Sequence, residues 1–123
     1  MKLRSGPFTA MVLLCALFLS ACHKETVAPL QNPAQLRADA MQMLKDLPVG
    51  DVPKSQWPAS IKALKPMAVT REVDDIKILV AHERGKFSVG YQVYRDGKRR
   101  PSSQGVWIEK TGFDGVYRYK TQY

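Results

Sequence analysis

A chain of 123 residues with 19 Lys and Arg against 11 Asp and Glu carries a formal net charge of +8 and holds two cysteines and two histidines. That length is one domain's worth, two cysteines are too few for a disulfide-stapled scaffold, and with only His82 in the folded part a zinc site of three or four ligands is not expected. The charge is unevenly placed: residues 22–83 hold eight basic and eight acidic side chains, residues 84–123 nine basic and three acidic.

In chain order, Lys2 and Arg4 form a positive n-region, Met11 to Leu19 is an unbroken apolar run, and Ser20 and Ala21 are small. Those are the three parts of an export signal. The run from Phe8 to Ala21 is 14 residues, whereas a spanning helix needs about 20 apolar residues, so a permanent transmembrane helix is disfavoured. Leu19-Ser20-Ala21-Cys22 resembles the lipobox of bacterial lipoproteins. The resemblance implies a signal peptide over residues 1–21, cleavage before Cys22, a diacylglycerol thioether on its sulfur and an acyl chain such as palmitate on the new amine. In Gram-negative envelopes an Asp after the lipidated cysteine retains such proteins in the inner membrane. His23 stands there instead, which implies an outer-membrane address facing the periplasm. Two or more acyl chains give stable anchoring where one gives only marginal binding.

Cys15 leaves with the signal and Cys22 is taken by lipid, so the remaining 102 residues must be held by their core alone. Residues 22–32 read as the lipidated cysteine and a polar tether: HKETVAPLQN lacks periodicity and contains Pro29. Ten extended residues reach at most about 36 Å, so the domain over residues 33–123 stays near the bilayer. A domain of that size buries one modest core and has little room for a deep catalytic cleft.

Asn32, Pro33 and Gln35 read as an N-cap, N1 proline and N3 glutamine. Leu36, Ala40, Met43, Leu44 and Leu47 then recur at helical spacing up to Pro48, predicting one amphipathic helix. Trp57, Ile61 and Leu64 at i, i+4 and i+7, with Pro58 in the first turn and Pro66 as the stop, predict a short second one. From Met67 the period becomes two. The spacing predicts a strand around Val69 to Val73, a hairpin of Ile76–Ala81 with Phe87–Val93, a strand delayed by Pro101-Ser102-Ser103 to Val106–Lys110, and a last strand over Val116–Lys120. Helices followed by strands argue for α+β: two helices packed on one face of an antiparallel sheet of about five strands. "WPASIKALKP" with "GVYRY" resembles a pattern in small uncharacterised bacterial proteins, and that resemblance brings no function.

No catalytic constellation emerges. His82 lies on the predicted strand face of Ile76, Ile78 and Val80 and has no second His or Cys to join it. Serines occur in no nucleophile-elbow context, and no Gly-rich run ends in Lys-Ser/Thr, so no nucleotide or other cofactor is indicated. Glu72, Asp74, Asp75 and Glu83 are the carboxylates that could pair for acid-base work on glycan, though Asp74-Asp75 more simply makes a turn.

The densest charge is the loop YRDGKRRPSSQG, with Arg95, Lys98, Arg99 and Arg100; Arg84 and Lys86 sit at the other end of their strand. Basic segments near a bilayer attract anionic head groups. An acidic envelope protein or a glycan would meet the same charges, with Trp107, Tyr94, Tyr117, Tyr119 and Tyr123 as aromatic contacts. Equally, the loop could be a solvated turn whose charges blunt sheet pairing. Compartment argues against nucleic acid, for which a basic aromatic sheet would otherwise suit. The expectation is a lipid-anchored, non-catalytic binding or structural module; the alternative is an inhibitor or immunity-type lipoprotein acting on a periplasmic enzyme.

Overall fold

The computed structural model describes residues 30–123; the expected signal peptide, Cys22 and most of the expected tether lie outside the described residues. The fold is α+β, two helices packed on a six-stranded antiparallel open sheet.

Helix α1 spans Pro33–Asp46, with the Asn32 side chain accepting the Gln35 N–H at 3.2 Å and proline in the first turn. Its buried stripe is Leu36, Ala40, Met43 and Leu44. Leu47 turns to extended backbone and ends it, as expected before Pro48. Strand β1 is the two-residue Gly50–Asp51, a sixth strand the alternation was too short to reveal. Helix α2 is only Ala59–Lys62. Trp57, expected inside that helix, instead closes a 3-10 turn and donates its indole N–H to the Val52 carbonyl at 2.9 Å.

The remaining strands are β2 (Ala68–Arg71), β3 (Asp75–Glu83), β4 (Phe87–Tyr94), β5 (Val106–Lys110) and β6 (Val116–Gln122), in the spatial order β1-β2-β3-β4-β6-β5. Strand β5 therefore does not return beside β4; β6 lies between them, and β5 forms the edge.

A bulge separates Leu79 from Ala81, so Ile78 faces Tyr91 while Ala81, three residues on, faces Val89. Both therefore point to the helix side. The same slip puts His82 on the opposite face, paired with Ser88, correcting the expectation that it continues the Ile76, Ile78 stripe; one extra residue inverts every later side chain.

The main core lies between the helices and β2-β3-β4, built from Leu36, Ile61, Val69, Ile76, Ile78 and Tyr91 among others. A smaller core of Tyr94, Ile108 and Tyr117 lies on the other face, under the long β4–β5 loop. The sheet thus switches its buried face between its two wings. The loop also closes the β5 edge: Ser103 exchanges backbone hydrogen bonds with Val106, and the Ser102 hydroxyl accepts the Ile108 N–H at 2.9 Å. Covering exposed strand groups this way blocks edge-to-edge pairing. Replacing Ser102 by Val would leave the Ile108 N–H to solvent, and increased dimer or aggregate by light scattering is the expected result; an unchanged monomer would show that the edge is blunted elsewhere.

Candidate functional site: a basic end over a polar network

Helix α1 crosses the strand ends. Near its N-terminus the Arg37 side chain lies against Gly97 and Gly115, with Nη2 3.3 Å from where a Gly97 Cβ would stand. Near its C-terminus the Leu44 carbonyl accepts Arg71 Nη2 at 2.7 Å, a cation placed where the helix dipole is negative. Arg71 Nη1 also donates to the Glu72 and Val73 carbonyls, tying the β2–β3 turn to the helix.

The loop carrying the sequence's densest charge sits at this same end. Gly97, at φ 72°, takes the left-handed conformation that glycine adopts without penalty. Asp96 accepts the Lys98 backbone N–H at 2.9 Å and holds Arg100 Nη1 through both carboxylate oxygens at 3.1 Å. These bonds hold the Asp96 carboxyl below its ordinary value, the Lys98 N–H first and Arg100 second. The Arg100 guanidinium stacks on the Tyr94 ring at 4.5 Å, and Tyr117 donates its hydroxyl to the Gly97 carbonyl at 2.8 Å. Arg95 pairs with Asp74 at 3.8 Å and donates to the Val73 carbonyl at 3.2 Å.

The expected site residues therefore separate by role. Arg95 and Arg100 are spent on Asp74 and Asp96. The Lys98 and Arg99 side chains are exposed and make no ion pair among the described residues. Tyr117 supports the loop from beneath; Tyr119 is 3% exposed and offers no contact surface. Trp107 lies away from the loop on the helix-side face, its ring edge-on to Phe87. Arg84 and Lys86 sit at the opposite end of the sheet, in the β3–β4 turn. Arg37, far away in sequence, joins the basic end; its sequence signal is only that it falls off the buried stripe of α1.

Beneath the loop lies a polar chain on the sheet face away from the helices. Tyr94 donates its hydroxyl to Gln92 Oε1 at 3.0 Å, and Gln92 Nε2 donates to Asp75 Oδ2 at 3.1 Å. Asp75, 7% exposed, shares a side-chain hydrogen bond with Glu72 across the β2–β3 turn. Of the four acidic candidates, these two meet, while Asp74 occupies the turn as expected. Burial above all holds both carboxyls above their ordinary values, with the Asp75 charge adding to the rise at Glu72. Burial, and then the Asp75 charge, pushes the Tyr94 hydroxyl up to about 12. Glu72 and Asp75 engage each other and Asp75 also accepts from Gln92, so the pair braces the β2–β3 turn.

The raised carboxyls give a signed pH effect. A proton is held more tightly in the folded protein than in the unfolded chain, so the pair's contribution is full below the ordinary values of 3.8 and 4.5 and is lost as pH rises through the raised ones. The melting temperature should fall across that window more steeply in the wild type than in Glu72→Gln, whose amide does not ionise. Parallel curves would show that the pair is not perturbed.

Among the described residues no three His, Cys, Asp or Glu side chains gather to hold a metal ion, and no helix is long and apolar enough to cross a membrane. Comparison with known proteins brings no match: no family model, curated protein or solved structure is similar to this chain.

Proposed function

We propose that this protein is a lipid-anchored, non-catalytic envelope module whose basic end docks on the anionic head groups of the bilayer that holds its acyl chains. One observation carries the reading: Lys98 and Arg99 project from a loop fixed by Asp96, Tyr94 and Tyr117, at the end of the sheet where α1 also begins. Pro33 is four residues before Arg37, about 6 Å along a helix axis, so α1 begins near the densest charge, while Leu30 to Asn32 before it lie against Ser60, Ala63 and Leu64. The tether's short reach keeps the loop within the head-group field.

Cys22→Ser should abolish fatty-acid labelling and release the protein from the membrane; persistent labelling would remove the lipoprotein reading. The docking itself is tested with the unacylated Cys22→Ser protein on vesicles of anionic or zwitterionic lipid. Each basic residue near an anionic surface contributes about 1 kcal/mol, so Lys98→Gln with Arg99→Gln should weaken binding to anionic vesicles about 30-fold at low salt. The difference should vanish near 1 M salt, where the Debye length is about 3 Å. Equal binding by both proteins at low salt would contradict the proposal.

A further inference from the structure

We propose that the β5–β6 wing carries a second binding site, for a saccharide, on the helix-side face and independent of the basic end. Beyond Val116, which joins the main core beside Val93, the helices stop short of this wing, and Ile108 and Tyr117 are buried on the other face, under the β4–β5 loop. Folding therefore asks nothing apolar of the helix-side face here, yet it presents Trp107 at 40% exposure. Cross-strand pairing sets Trp107 beside Lys120 and Glu109 beside Arg118, and the concavity they line with Glu83 and Val89 has a volume of about 260 Å³. Phe87 braces the indole edge-on at a centroid distance of 6.0 Å, and Lys120 lies 4.4 Å over the Phe87 ring while pairing with Glu83 at 3.6 Å. Glu109 and the half-buried Arg118 make no ion pair and no side-chain hydrogen bond among the described residues, although a half-buried guanidinium ordinarily finds an acceptor.

The chemistry of this concavity selects the ligand. Two carboxylates and two cations cancel, so it attracts no strongly charged partner, and its walls are too polar for an acyl chain. A neutral sugar matches both halves: its C–H face packs on an aromatic ring, and its hydroxyls donate to Glu109 and accept from Arg118. The volume lies just below the usual range for small-molecule sites, which suits one or two sugar rings of a longer chain.

The full chain in lipid nanodiscs carries two indole N–H groups, and that of Trp57 is held by the Val52 carbonyl, so it serves as an internal reference in a nitrogen-proton correlation spectrum. The probes are tetramers of N-acetylglucosamine and of glucose. Saturable movement of the Trp107 signal by either sugar is expected, with a dissociation constant on the order of 1 mM or tighter. Trp107→Ala should weaken binding about 30-fold and Glu109→Gln about 10-fold, while Trp107→Phe keeps the aromatic platform and should retain most of it. No movement up to about 10 mM sugar, or equal affinity in a folded Trp107→Ala protein, would overturn the proposal. Movement caused by an acidic tetrapeptide and by neither sugar would overturn the choice of ligand.

Discussion

Replacing Gly90 by Ala is expected to unfold the domain. Gly90 stands opposite Leu79, at the bulge of β3, where a Cβ would overlap the Ile78 carbonyl oxygen and come within 2.9 Å of its carbon and 3.0 Å of Tyr119 Cε1. The first two are backbone atoms of a central strand, which cannot step aside as the end of a flexible side chain can. Overpacking against side chains costs roughly 1–3 kcal/mol; against a paired backbone the loss should reach at least about 3 kcal/mol, a large part of the 5–15 typical of a domain. Loss of amide dispersion in Gly90→Ala, or failure to express as soluble protein, is the expected outcome. A melting temperature within a few degrees of wild type would mean that the bulge can relax and that the register around Leu79 is not rigid.

Ile78→Asp should have a comparable effect through a different cause. Ile78 is 0% exposed and pairs with Tyr91 on one side and Val69 on the other, so a carboxylate there is buried without a partner. A group in that position either pays a large desolvation cost or takes up a proton, and such changes rank among the largest single-residue losses of stability. The folded fraction should be near zero at pH 7 and recover partly as pH falls and the new carboxyl is neutralised. Folding unaffected at neutral pH would put Ile78 on the wrong face of the sheet.

The parts of the fold legible in sequence are those where a local signal and the tertiary demand coincide. Asn32, Pro33 and the Leu36, Ala40, Met43 stripe mark α1 because capping and burial act on the same few residues. Val89, Tyr91 and Val93 mark β4 because the face they share is buried in the main core, and Phe87 continues the alternation past it against Trp107. The alternation fails at Val80, since a bulge shifts the phase without leaving a residue type to announce it; only Gly90, on the neighbouring strand, hints that a backbone must approach there. The place of β5 was illegible for another reason. Its partner is chosen by long-range competition among strands, and β6 wins the position beside β4 because Val116 faces Val93 and extends the core. In the candidate site the loop charges were visible, but their pairing was not: Asp74 and Asp96 neutralise Arg95 and Arg100 through turns whose geometry no spacing rule contains. Arg37 entered the basic end from a helix dozens of residues away. Tyr117 and Tyr119 looked like contact residues because aromatic alternation reads the same on an open face and on one that a long loop covers.

We propose one orientation for the domain, in which the end bearing Arg37, Lys98 and Arg99 faces the membrane. The most direct measurement is paramagnetic broadening of backbone amides in the full-length protein as the membrane fraction yields it, held in nanodiscs that contain anionic lipid and a gadolinium-chelated head group. Amides of residues 95–100 and 32–37 should broaden strongly while those of the Arg84–Lys86 turn, at the far end of β4, remain sharp. Broadening centred on Arg84 to Lys86, or spread evenly over the domain as for a freely tumbling body on its tether, would contradict it.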